Sequence, residues 1–161
     1  MTHAAAKRPP SQYVTLGIDG EIFAVEVERV REIFDMRPVS KLPNAPSFML
    51  GMMDVRGQSF PVIDLRAKLG LPPIPPNEHT RIIVLDVVLG EKTIGMGLVA
   101  DRVFEVTTLD QREPEPPPDV GVRWQSDYLN FIGRRASDFV FVFDTTRLFQ
   151  HDEVPIDSGT A

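Results

Sequence analysis

The sequence predicts an all-β protein built as two small barrels of about five strands each, joined by short helical turns. Three observations lead there. Apolar runs of strand length recur along the chain, separated by turn residues. At the usual strand length of about 5 to 6 residues, ten such strands use most of the chain. Long helical periodicities are scarce. The chain also repeats itself. The stretch 14–33 lies on 87–106 without a gap, so that Val14, Leu16, Gly17, Arg29, Val30 and Glu32 meet Val87, Leu89, Gly90, Arg102, Val103 and Glu105. Further on, Phe48 meets Tyr128, Val62 meets Val142 and Asp64 meets Asp144. The spacing exceeds the roughly 20 to 50 residues of a solenoid unit, so the repeat reads as two domains or subdomains of one build. A single larger sandwich is the alternative, but it does not explain the repeat.

The elements follow in order. Residues 1–12 read as a disordered lead. Tyr13–Ile18 and Glu21–Val27 are strands joined by Asp19-Gly20, a strong hairpin signal. Phe23, Val25 and Val27 alternate and share a face. Val27, Val30 and Ile33 are spaced for one or two helical turns. Leu50–Val55 and Gln58–Ile63 are strands around Arg56-Gly57, where Gly57 supplies a positive φ or a bulge. Asp64 caps a short helix that carries Leu65 and Leu69 on one face and ends at Gly70. The prolines of 72–76 form a stiff connector between a first barrel at about 13–70 and a second at about 80–149, with strand exchange between them open. Ile82–Leu89 is a strand buried on both sides. The acidic, proline-rich segment 113–118 is a loop. Phe139–Phe143 is a central strand, and Asp144 precedes a helical turn ending near Phe149. The tail 150–161 reads as flexible.

Composition narrows the function. The 161 residues are 42% hydrophobic and 25% charged, ordinary for a soluble globular protein. The net charge of −6 argues against a nucleic-acid partner. Cysteine is absent, which excludes disulfides and cysteine-based metal or redox sites. No apolar run approaches the roughly 20 residues of a membrane span, and the N-terminal residues lack the apolar core of a secretory signal. The compartment expected by default is the cytoplasm.

Catalytic chemistry finds little support. His3, His79 and His151 fall in the two tails and the connector, away from any triad or metal-ligand pattern. No catalytic residue, metal or cofactor is expected. Gly95-Met96-Gly97-Leu98-Val99-Ala100 fits a dinucleotide pattern, but that pattern needs a helix to follow, and the next residues are rich in Val and Thr. A strand containing glycine is the better reading. The other candidates concern binding. Arg56 stands at a tight turn, where an exposed turn arginine is the plainer reading. Glu32 and Glu105 each follow an Arg-Val pair by two residues. Met49, Met52 and Met53 are core filler or an adaptable contact surface, and adjacent Met52 and Met53 must face opposite sides of a strand. A small-molecule-binding double barrel, with a concave pocket, is a second class of function.

Four motifs in series resemble the CheW family of bacterial chemotaxis coupling proteins. They are Val27-Glu28-Arg29-Val30-Arg31-Glu32-Ile33, Leu42-Pro43-Asn44-Ala45-Pro46-Ser47-Phe48, Gly51-Met52-Met53-Asp54-Val55-Arg56-Gly57 and Phe60-Pro61-Val62-Ile63-Asp64-Leu65-Arg66. The likeness runs from about Tyr13 to Phe149. It implies two intertwined five-stranded barrels similar to SH3-like barrels. It also implies a non-enzymatic adaptor between a CheA-type histidine kinase and the cytoplasmic tips of methyl-accepting chemoreceptors, with no membrane insertion of its own. Related adaptors serve other chemosensory-like pathways, which the motifs do not separate. By resemblance, Val30, Glu32, Ile33 and Gly51 face the kinase's regulatory barrel domain. Arg56, Arg81, Ile82, Val103 and Val106 belong to receptor coupling. Two departures stand out. Asp54 and Val55 replace the Asn and Leu of the family's Asn-Leu-Arg-Gly turn, and Asp54 could compete with Glu32 for Arg56. Arg102 stands where a small residue is common.

Overall fold

The computed structural model describes residues 12–110 and 128–150. The expectations for the N-terminal lead, the 113–118 loop and the tail beyond Gln150 lie outside them. Ten strands form two curled five-stranded sheets. Sheet I contains β1 (Tyr13–Ile18), β2 (Glu21–Glu26), β8 (Arg102–Thr107), β9 (Leu129–Arg135) and β10 (Asp138–Phe143), in the order β8-β1-β2-β10-β9. Sheet II contains β3 (Val30–Asp35), β4 (Met49–Val55), β5 (Gln58–Asp64), β6 (Arg81–Leu89) and β7 (Lys92–Ala100), in the order β3-β6-β7-β5-β4. The sheets therefore do not split at the proline connector. Sheet II is continuous in sequence, and sheet I is assembled from strands on either side of it.

The repeat is visible in the topology. Replacing β1–β5 by β6–β10 and the reverse converts the order of sheet I into that of sheet II. Registers agree as well. Val62 lies beside Gly97 in the parallel pair β5–β7, and Val142 lies beside Ala24 in the parallel pair β10–β2. Matching bulges interrupt the hairpins, between Met49 and Gly51 in one and between Leu129 and Phe131 in the other. One part of the expected alignment fails. Val14 pairs with Val25, whereas Ile83, not Val87, pairs with Leu98. The β6–β7 hairpin is longer than β1–β2, so the first strand of the repeat is four residues out of step with the sequence match. Gly17 lies within a strand and Gly90 in a turn, so the Leu-Gly coincidence has no structural counterpart.

Local signals account for most elements. Asp19 and Gly20 take φ of 53° and 84°, and Arg56 and Gly57 take 49° and 84°. Two successive positive φ values make the hairpin turn whose twist matches the strands it joins. Asp64 accepts a hydrogen bond from the Arg66 amide at the start of α1 (Leu65–Lys68), and Asp144 accepts one from the Arg147 amide in α2 (Thr145–Gln150). The expected helical turns through Val27, Val30 and Ile33 are a correction. Only Val27–Arg29 forms a 3₁₀ turn, closed by the Val30 amide on the Val27 carbonyl, and Val30 and Ile33 lie in β3. Ladder bonds to β6 hold these β-branched residues extended. The dinucleotide pattern is also settled, because Gly95–Ala100 lies in β7 and runs into β8.

Packing explains why two sheets make one unit. Alternate residues of each strand serve different cores. In β6, Ile82 and Val84 fill the small core inside sheet II, while Ile83, Leu85 and Val87 enter a core shared with sheet I. Tyr13, Ala24, Val140 and Val142 form the corresponding small core of sheet I. Met53 is buried in the sheet II core and Met49 in the shared one, with Met52 on the opposite face of the strand from Met53. Phe23 lies at the centre of the shared core, stacked on Phe143 with ring centroids 4.9 Å apart. Phe23→Ala should cost about 3 to 5 kcal/mol of folding stability, the usual range for a buried aromatic. Urea denaturation checks this, and a midpoint equal to the native one would refute the packing assignment.

Candidate functional site

β3 and the β4–β5 hairpin are joined by an ion pair between Glu32, within β3, and Arg56, in the β4–β5 turn. The Arg56 guanidinium donates to both carboxylate oxygens of Glu32, each at 3.0 Å. The Arg56 side chain is 72% exposed and that of Glu32 37% exposed. The pair lies on the rim of a groove of about 280 Å³ floored by Phe34, Phe60 and Val84. Arg31 lines the same groove. Its Nε donates to Asp86 at 2.8 Å, and its guanidinium lies 5.2 Å from the Phe60 ring centre. The turn itself does not favour arginine at position 56. A left-handed φ costs a non-glycine residue roughly 1 to 2 kcal/mol, and such positions usually carry Asn, Asp or Gly. Backbone preference thus fails to explain the residue, and its side-chain contact does.

The two-pronged hydrogen bond from Arg56 holds the Glu32 carboxyl below its ordinary value, and the same bond raises the Arg56 guanidinium. The expected competition from Asp54 does not occur, because the Ser59 hydroxyl donates to Asp54 at 2.6 Å and Arg56 stays with Glu32. Burial pushes the Asp64 carboxyl above its ordinary value, against the opposing pull of the Arg66 and Ala67 amides.

The remaining candidates are dispersed. Ile33 is 39% exposed on β3, whereas Val30 packs against the shared core. Gly51, with φ of 147°, lies where a Cβ would come within 1.9 Å of the Ser40 carbonyl oxygen. It lets Ser40 bridge to Met52 and holds the edge of β4. Arg81 donates to the carbonyls of Glu78 and Thr80 and approaches Asp35 at 3.6 Å. Ile82 is a core side chain with no exposure. Val103 and Val106 lie on β8 in sheet I, and Val106 is 53% exposed. Arg102 folds its stem beside Phe104 over Gly17. Arg56 therefore groups with Glu32, and not with Arg81, Val103 and Val106.

The sequence reading missed a second groove. Arg135 donates to Glu105 at 3.1 Å on the rim of a groove of about 380 Å³, lined by Phe104, Ala136, Asp138 and Val140 among others. Under the repeat these four residues occupy the positions of Arg31, Arg56, Gln58 and Phe60, and Glu105 that of Glu32. The two faces are equivalent by pseudo-symmetry but differ in character. Where sheet II has Arg31 paired to Asp86, sheet I has Phe104, 47% exposed. The Glu32–Glu105 match was a signal for this. Arg135 escaped it because it sits one residue before the position matching Arg56.

Among the described residues, no group of three or more His, Asp or Glu is placed to hold a metal ion, and no helix is long and apolar enough to cross a membrane. A double barrel with an exposed, preorganised ion pair on each face has the form of a protein-docking module. Comparison with known proteins agrees. The CheW-like domain family model matches residues 12–153, so the chain belongs to the CheW-like family. Among relatives, the chemotaxis protein CheW of Klebsiella aerogenes is 26% identical over 93% of this chain and 88% of its own length. The chemotaxis protein CheW of Helicobacter pylori is 31% identical over 88% of this chain and 82% of its own. The crystal structure of the scaffolding protein TtCheW from Thermoanaerobacter tengcongensis superposes with a TM-score of 0.78 at 26% identity, covering 89% of this chain and 95% of that one.

The lowered Glu32 carboxyl gives a direct test. Its ion pair contributes fully above the ordinary glutamate value and is lost only as pH falls through the lowered one. NMR titration of Glu32 should show a midpoint below the ordinary value that rises in Arg56→Ala. An unchanged midpoint in that variant would remove the pair as its cause.

Proposed function

We propose that this protein is a non-enzymatic adaptor coupling the cytoplasmic tips of methyl-accepting chemoreceptors to a CheA-type histidine kinase. The observation that carries the reading is the Glu32–Arg56 pair. It is exposed, bidentate and built at a backbone cost the turn does not require, on a chain of the CheW-like family. Exposed charge pairs add little to folding, so a role in recognition is the better account. In this reading Glu32 and Ile33 touch the kinase's regulatory barrel domain, while Val30 and Gly51 hold β3 and β4 in the shape that presents them. Arg56 links that face to receptor coupling, and Arg81, Val103 and Val106 offer contacts to the receptor helix, with Ile82 as the core beneath. Occupying both partners at once converts weak contacts into an avid assembly. The adaptor works in the cytoplasm, recruited to membrane-associated receptor arrays, and needs no cofactor.

Titration calorimetry with the regulatory barrel domain of a CheA-type kinase from the same organism tests this. The native protein should bind one to one, and Glu32→Lys should weaken binding severely while its thermal melt stays native. Arg56→Ala should keep the fold and lose receptor control of the kinase. A native kinase response in Arg56→Ala would overturn the assignment of that residue. No binding by the native protein would overturn the kinase partner.

A further inference from the structure

The ion pairs described so far lie on the surface, but one arginine is buried. Arg66 in α1 has a side chain only 8% exposed. Its Nη1 donates to Asp101 at 2.8 Å, its Nη2 to Asp19 at 3.1 Å and its Nε to the Pro72 carbonyl at 2.8 Å. Asp101 also accepts from the Asp19 amide at 2.8 Å. These partners come from different parts of the fold. Asp19 lies in the β1–β2 turn of sheet I. Asp101 lies at the crossover where the chain leaves sheet II at β7 and enters sheet I at β8. Arg66 follows β5 of sheet II, and Pro72 begins the connector. One guanidinium thus ties both sheets, the crossover and the connector together.

The repeat shows that the fold does not demand this clamp. The position matching Arg66 is Thr146 in α2, and that matching Asp101 is Glu28. Thr146 makes one long neutral hydrogen bond, 3.4 Å to the Val88 carbonyl near the β6–β7 turn. The same architecture is therefore closed on the other side without a buried charge. Burying the guanidinium carries a desolvation cost that offsets much of its attraction to the partly exposed Asp19 and Asp101, so stability alone is a weak reason for it. Its three fixed donors give direction instead.

We propose that Arg66 is a positioning residue, which fixes the orientation of sheet I against sheet II and so the geometry between the Glu32–Arg56 face and β8. The proposal rests on the adaptor reading for its functional consequence and on the structure alone for its geometry. In an adaptor with partners on two faces, the coupling between them depends on how those faces are placed relative to one another.

The absence of cysteine makes the test clean. Spin labels at Glu91→Cys, in the β6–β7 turn of sheet II, and Ser137→Cys, in the β9–β10 turn of sheet I, report the distance between the sheets. The native protein should give one narrow distance distribution. Arg66→Met, which keeps the apolar stem, should keep a cooperative melt and native affinity for the kinase domain. Its distance distribution should broaden or shift, and its receptor control of the kinase should fall about tenfold, a usual size for coupling between sites. A native distribution in the folded variant overturns the proposal. If Arg66→Met does not fold, Asp101→Asn is measured in the same way, and failure of both to fold also overturns it by making the clamp a plain requirement for folding. Failure of the native protein to bind the kinase domain overturns the adaptor reading and leaves the distance result standing.

Discussion

The shared core is the constraint on which the rest depends. Each sheet has a small core of its own, but the larger apolar side chains of both sheets point into the space between them. The small core of sheet I, formed around Tyr13, Ala24, Val140 and Val142, cannot supply the burial an independent domain needs. Both barrels are therefore held by residues such as Phe23, Leu16, Ile83 and Leu98 that belong to the space between them. The helices α1 and α2 close this space with Leu65, Leu69, Leu148 and Phe149. What remains on the outer faces is charged pairs interspersed with a few exposed apolar side chains, among them Ile33, Phe104, Val106 and Phe139.

The duplication gives two faces of one design, and the sequence has since changed them separately. Both keep a Glu–Arg pair at the rim. On sheet II the groove has Arg31 held between Asp86 and Phe60, with Phe60 filling the space above Gly95. On sheet I the matching positions carry Phe104, Val140 and Ile22, which leave a wider and more apolar groove. A partner suited to one face therefore does not suit the other, although the backbone beneath them is nearly the same. Arg66 is a third asymmetry, set inside the molecule instead of on its surface.

Local chemistry was legible in the sequence, and contacts between distant segments were not. Asp19-Gly20, Arg56-Gly57 and the Asp64 cap each announce their structure through backbone preference alone. The nearly continuous apolar run Ile82–Leu89 identified a strand buried on both faces. Val27, Val30 and Ile33 misled, because three apolar residues at helical spacing also fit a strand once β6 pairs with it. The repeat showed the two-fold build but not the longer β6–β7 hairpin, because its added residues Val88 and Leu89 continue the apolar run of β6 and so leave no break in the sequence. Glu32 and Arg56 were candidates from their repeat and turn positions and again by resemblance, and an ion pair joins them. Ile82 lies wholly in the core, between half-buried Arg81 and buried Ile83. The Arg66 clamp was invisible, because Asp19, Arg66 and Asp101 come together only when the sheets do.

The uneven use of the chain has a consequence during synthesis. Sheet II is drawn from one unbroken stretch, so all its strands leave the ribosome before β8 begins. Sheet I must wait, because β2 finds its inner neighbour only when β10 emerges and inserts between it and β9. Until β8 emerges β1 and β2 are a lone hairpin, marginal in water, and afterwards they form a three-stranded sheet that still leaves β2 as an open edge. Nascent protein stalled before Phe139 should present a closed sheet II beside an open, adhesive strand edge, the form most in need of a chaperone.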